Sequence, residues 1–236
     1  MAGMHVLRGR AATPGADRER THGLVDHTAE TGERAVRVWT PPPHVAFGRR
    51  DANREGYEQA RQAAADSDYP VVERTVGGRA VVFTGTTAAF VATEPVADSR
   101  TGIQERYDDA TDTIAAALDE LGVNAERGEP EGAFCPGTHS LSADGKIVGL
   151  AQRVHRDVAA VSGIVIVSDH DAIAAVLEPI YEALSVPFDS DAVGSVARAG
   201  GPDDPDAVAR AVEDAFVDGQ WGDSERRIVR VDEGNA

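Results

Sequence analysis

Apolar residues in this chain recur at two different periods, and the switches between them mark out its elements. Over residues 103–121, Ile103, Tyr107, Ala110, Ile114, Ala117 and Leu121 fall three or four positions apart. That spacing predicts a helix with one apolar stripe laid on a sheet and a stop near Gly122. Two β-branched runs, "KIVGLAQRV" (146–154) and "DVAAVSGIVIV" (157–167), predict central strands paired as a hairpin around Arg156 and Asp157. Further strands are predicted at "RAVRVWT" (34–40), Val45 to Phe47, "PVVER" (70–74), "GGRAVVFTG" (77–85) and "AAFVATEP" (88–95). Surface or packing helices are predicted over 53–68, over 169–184 behind a capping residue, and over 204–219. Strands and helices mix without strict βαβ alternation, so the fold class is α+β: a mixed central β-sheet flanked by helices. No internal repeat is present.

Residues 1–33 carry few large apolar groups, which predicts an amino-terminal extension, poorly ordered or a loosely docked helix. A core domain then spans 34–187, and 188–236 hold a carboxy-terminal helix and a polar tail whose "RIVRVDEGN" reads as a frayed strand. At 236 residues the chain can bury a real core without disulfides.

Charge narrows the partners. Forty acidic against 23 basic residues give a formal net charge of -17, and all but one of the basic residues are arginine. Carboxylates support solubility better than ammonium groups, so this bias fits a protein of an extreme halophile. Arginines scattered among acids do not form the basic face that a nucleic acid requires. No apolar stretch is long enough for a membrane span or signal peptide, and one cysteine forms no internal disulfide; a cytoplasmic, reduced location is expected.

The single cysteine, Cys135, and the single lysine, Lys146, both lie in "FCPGTHSLSADGKIVG" (134–149). Cys135 precedes Pro-Gly in a Gly/Ser/Thr-rich stretch and so belongs to a loop rather than a helix stripe. Where arginine has replaced lysine everywhere else, a retained lysine points to a need for a compact, mobile ammonium. A cation beside a thiol favours the nucleophilic thiolate, so the two read together as a nucleophile with its charge partner. A lone cysteine is more often a small buried core residue, and the alternative for the pair is that both are accidents of low counts. The seven histidines show no metal-ligand spacing on one element, and no metal is expected. Solvent-exposed or capping roles are expected for the histidines; His139, four residues after Cys135, would be the one to partner it, but such pairs normally span distant segments and no partner acid has a supporting spacing.

"ERTVGGRAVVFTG" followed by "FCPGTHSLSADGKIVGLAQRV" resembles the lipoate-protein ligase and octanoyltransferase family, which shares its catalytic fold with biotin-protein ligases. The Cys-Pro-Gly loop, the Asp-Gly-Lys turn and the Gly-x-x-Gln-Arg strand are most similar to its cysteine-dependent lipoyl amidotransferases. The resemblance implies that Cys135 carries an acyl thioester and that Lys146 contacts the reacting carbonyl and favours the thiolate. It further implies that Arg74, Gly77, Gly78 and Ala80 line the mouth of an acyl tunnel, with Gly149 and Ala151 leaving room for an eight-carbon chain. Arg79 stands where ATP-dependent ligases usually have a third glycine, and Phe83-Thr84 where they have His-Asp.

The expected activity is transfer of an octanoyl or lipoyl group from a carrier protein to a lipoyl-domain lysine, with no cofactor. The donor would be an acyl-carrier or glycine-cleavage H-type protein. Two alternatives remain: an ATP- and Mg-dependent lipoate ligase, perhaps half of a two-protein enzyme, with Cys135 incidental, and a non-catalytic octanoate- or lipoate-binding protein.

Overall fold

In the computed structural model, residues 3–74, 78–155, 157–222 and 225–231 are described. The chain opens with β1 (Met4–Arg8), α1 (Pro14–Thr31), β2 (Ala35–Trp39), β3 (His44–Phe47), α2 (Arg49–Ala52) and α3 (Tyr57–Asp66). It continues through β4 (Val71–Glu73), β5 (Val81–Phe83), β6 (Thr87–Pro95), α4 (Ile103–Glu120), β7 (Glu126–Arg127) and β8 (Ser140–Ser142). Then come β9 (Lys146–His155), β10 (Val158–Ile166), α5 (His170–Ala183), α6 (Pro205–Asp218) and β11 (Arg226–Arg230).

Eight strands form one mixed sheet in the order β11-β1-β2-β6-β10-β9-β8-β7, and β4-β3-β5 form a second, small one. The predicted hairpin is present, with β9 and β10 antiparallel from Val158↔His155 to Val165↔Val148. One face of the large sheet packs Val38, Phe90, Val148, Val161 and Val165 against α4 and α6 through Ile114, Leu118, Val212 and Phe216. A second core joins Ile164 and Ile166 to the small sheet and to α3 and α5 through Val45, Phe47, Ala60, Leu177 and Tyr181. No helix of the described residues is long and apolar enough to cross a membrane.

Of the two forms expected for residues 1–33, the docked helix is the one present, and a strand that was not expected precedes it. Strand β1 pairs in parallel with both β2 and β11, so the first and last strands close one side of the sheet. Helix α1 is capped by Thr13, whose side chain accepts from the Ala16 N–H, and ends on Gly32 at φ 72°. Its buried residues are only Asp17, Leu24 and Thr28, too few to show as an apolar stripe. A polar network docks it instead. Buried Arg37 donates to the Asp17 carboxylate at 2.5 Å, and Trp39 Nε1 donates to the other Asp17 oxygen at 2.6 Å.

Smaller departures are local. In α4 the stripe holds at Ala110, Ile114 and Ala117 but is completed by Leu118, and Ile103 is 45% exposed. The helix expected over 53–68 contracts to α3, with the short α2 before it. Asp169 holds the N-cap position of α5 at φ 57° without a side-chain cap bond to the helix, its carboxylate accepting from Thr86 Oγ1 at 3.0 Å instead.

Candidate active site

Cys135 lies in the irregular segment between β7 and β8, half-buried and at φ 40°. A non-glycine residue in this left-handed region is strained, and the surroundings must hold it there. They do so at both ends of the residue. Its N–H donates to the Tyr181 hydroxyl at 2.6 Å, and its carbonyl accepts from Lys146 Nζ at 2.9 Å.

The sulfur faces the turn between β4 and β5. The backbone N–H of Arg79 donates to Cys135 Sγ at 3.2 Å. Gly78 stands beside it at φ 91°, and a Cβ there would lie 2.9 Å from the sulfur, so only glycine leaves room for it. The same turn is braced from behind. Arg74 Nη2 donates to the Arg79 carbonyl at 2.5 Å, and the Arg79 guanidinium pairs at 3.3 Å with Asp51, a fully buried carboxylate that also accepts the Gly48 N–H at 3.2 Å. Burial pushes Asp51 above the usual carboxylate range, opposed by that N–H and by Arg79. Gly77 lies outside the described residues.

Lys146 opens β9 and is 1% exposed. An ammonium has three N–H bonds, and all three are spent: on Glu129 Oε2 at 2.7 Å, the Phe134 carbonyl at 3.0 Å and the Cys135 carbonyl at 2.9 Å. It also lies 5.0 Å over the Phe134 ring. Lys146 thus clamps the backbone of the cysteine loop, whereas the hydrogen bond found at the sulfur comes from Arg79. Glu129 extends the clamp, accepting also from the Gly137 N–H at 2.9 Å and Ser140 Oγ at 2.8 Å.

Residues directly opposite in an antiparallel pair share a face, so Gly149, Ala151 and Ser162 form a low strip across β9 and β10, bordered by Ile164. A Cβ on Gly149 would come within 3.4 Å of Lys146 Cε, which places this strip beside the lysine. Ala80 is fully buried in the second core, and it is its carbonyl that bears on the site, accepting from the Tyr181 hydroxyl at 3.1 Å. His139 stacks on Tyr107 at 3.8 Å between ring centroids, and burial lowers its pKa. Gln152 serves as scaffolding: its side chain holds Arg106 Nε at 2.8 Å and the Ile103 carbonyl at 2.9 Å.

Sequence reasoning missed Glu129, Tyr181 and Asp51. A buried lone lysine requires an acid, and Glu129 stands six residues before Cys135, which was the available signal. Tyr181 carried none, since a tyrosine on an apolar helix face reads as core.

Cys135, the Lys146 clamp and the Gly78–Arg79 backbone thus converge at one point of the mixed-sheet fold. The chain belongs to the lipoyl protein ligase A/B catalytic domain family, whose model matches residues 19–217. Among curated relatives, it is 30% identical over 126 residues to the octanoyl-[GcvH]:protein N-octanoyltransferase of Geobacillus kaustophilus, covering 53% of this chain and 44% of that protein. The protein of the same description from Kyrpidia tusciae is 31% identical over 137 residues, covering 56% and 46%. The matched segment therefore spans less than half the length of each relative.

Solved structures share the fold. Lipoate-protein ligase A bound with ATP superposes with a TM-score of 0.79 at 18% identity, over 99% of this chain and 90% of that one. The bi-partite lipoate protein ligase of Thermoplasma acidophilum gives 0.69 at 17% identity, over 99% and 88%.

Proposed function

We propose that this protein is a cysteine-dependent acyltransferase of protein lipoylation, moving an octanoyl group from a GcvH-type donor to the lysine of a lipoyl domain. One observation carries the reading: the half-buried Cys135 sulfur, at positive φ, receives a backbone N–H from Arg79 across a glycine-only gap. A cysteine nucleophile needs a sulfur that a carbonyl can reach, and a backbone N–H beside it is suited to the oxyanion that would form there. The relatives' description supplies the donor and the acyl group.

In this reading the Cys135 thiolate attacks the carbonyl of the octanoyl-lysine amide on the donor. The tetrahedral intermediate collapses by breaking the C–N bond, and the donor lysine leaves as an amine after taking up a proton. The acceptor lysine amine then attacks the thioester, loses a proton and releases Cys135. Amide is exchanged for amide, so the whole reaction is near thermoneutral and needs no ATP. The thioester in between is uphill, which makes acceptor concentration the driving term. Lys146 holds the nucleophile's backbone in place through the Cys135 carbonyl, and Gly149 and Ala151 give the acyl chain its berth beside it. The acidic surface supports a place in the cytoplasm of a halophile.

The test is transfer from octanoyl-GcvH to a lipoyl domain in high salt without ATP. Wild type is expected to transfer and Cys135→Ala to be inactive. Transfer by Cys135→Ala, or lipoylation that needs ATP and a free acid, would overturn the proposal.

A further inference from the structure

We infer that the Tyr181 hydroxyl is a positioning group for the nucleophile, setting the register between the Cys135 loop and the turn whose N–H reaches the sulfur. The inference rests on the reading of Cys135 as the nucleophile. Tyr181 comes from α5, remote in sequence from both loops, and is 0% exposed. A phenol has one proton to donate. The Cys135 N–H can only donate, so the hydroxyl accepts there at 2.6 Å and must give its own proton to the Ala80 carbonyl at 3.1 Å.

One oxygen thus ties the residue bearing the sulfur to the residue following Arg79, whose N–H contacts that sulfur at 3.2 Å. Without the tie, the Cys135 N–H loses its partner and the strained φ of 40° is held from the carbonyl side alone, by Lys146. Packing does not call for a hydroxyl at this position. Around it, α5 buries Ile173, Leu177 and Ile180, among which phenylalanine would fit equally well. A buried phenol is tolerated in such a core only when its hydroxyl is bonded, and both bonds here go to the site's own backbone.

The experiment compares alkylation of Cys135 by iodoacetamide as a function of pH in wild type, Tyr181→Phe and Phe188→Leu. Phe188 packs its ring 5.0 Å from that of Tyr181 and has no polar atom to bond the hydroxyl, so it controls for loosened packing. Tyr181→Phe is expected to fold and to alkylate about 10-fold more slowly across the pH range. Octanoyl transfer should fall by a similar factor in kcat with donor KM unchanged. Phe188→Leu should lose stability and keep the wild-type alkylation profile. Wild-type alkylation by Tyr181→Phe, an unfolded Tyr181→Phe, or equal slowing in Phe188→Leu would overturn the inference. Alkylation needs neither donor nor acceptor, so failure here and failure of the transferase reading are separately visible: the latter is decided by Cys135→Ala.

Discussion

Replacing Lys146 with methionine keeps the unbranched stem and removes only the ammonium, and the structure shows what that would leave behind. The Glu129 carboxylate, 17% exposed, would keep the Gly137 N–H and the Ser140 hydroxyl but lose its counter-charge. The carbonyls of Phe134 and Cys135 would lose their shared donor. Stranding one member of a buried pair costs about 3–5 kcal/mol, and the residual exposure of Glu129 places this case near 3. For a chain of this size each kcal/mol lowers the midpoint by about 2–4 °C, so Lys146→Met should melt roughly 6–12 °C below wild type. Removing the stranded charge as well should relieve part of the loss, so Lys146→Met/Glu129→Gln should be more stable than the sum of its single variants predicts by at least about 1 kcal/mol. Because the pair is buried, the effect should survive multimolar salt, which abolishes surface pairs. Thermal and urea unfolding in high salt measure all of this. A Lys146→Met midpoint within about 2 °C of wild type, or strict additivity with Glu129→Gln, would refute the view of Lys146 as the clamp of the cysteine loop.

Three further outcomes follow from single contacts. A Cβ at Gly48 would collide with the Gly78 carbonyl, so Gly48→Ala should push that turn off the sulfur and slow Cys135 alkylation while α2 and α3 remain folded by circular dichroism. Asp17→Ala strands Arg37, whose guanidinium is fully buried, and should cost about 3–5 kcal/mol by urea unfolding, with α1 exchanging its amides first. Burial holds the His44 pKa below 6.5, and its ring pairs with the Pro42 carbonyl at 2.7 Å and stacks on Phe83. The unfolded chain therefore binds that proton first as pH falls. The stability due to neutral His44 is complete above about pH 6.5 and is lost on acidification toward its lower folded pKa. His44→Phe should flatten this acid slope in unfolding midpoints taken across the window, leaving the part due to His5 and His139, which burial also lowers.

What the sequence disclosed, it disclosed through local pattern and through rarity. The β9–β10 hairpin was legible because two β-branched runs meet at a polar turn, and register follows from that meeting. Cys135 and Lys146 stood out because the composition elsewhere avoids both. Their contact with each other is real, although it runs through the cysteine's carbonyl. The same locality explains the misses. Strands β1 and β11 pair in parallel across nearly the whole chain, and no short-range signal announces such a pairing. Helix α1 is held by Asp17 reaching Arg37 and Trp39 on β2, a polar attachment that hydrophobic periodicity cannot display. Tyr181 meets Cys135 across 46 positions, and its hydroxyl matters only because two backbone segments happen to converge on it.

The most direct measurement of the central claim is the intact mass of the protein after incubation with octanoyl-GcvH in high salt, with and without hydroxylamine. With a single cysteine and a single lysine in the chain, a thioester can form only at Cys135 and a side-chain lysine amide only at Lys146. The account predicts one octanoyl adduct, cleaved by hydroxylamine, absent from Cys135→Ala, and discharged when a lipoyl domain is added. An adduct that resists hydroxylamine, one that persists in Cys135→Ala, or octanoyl transfer through an enzyme that never gains the mass would contradict it.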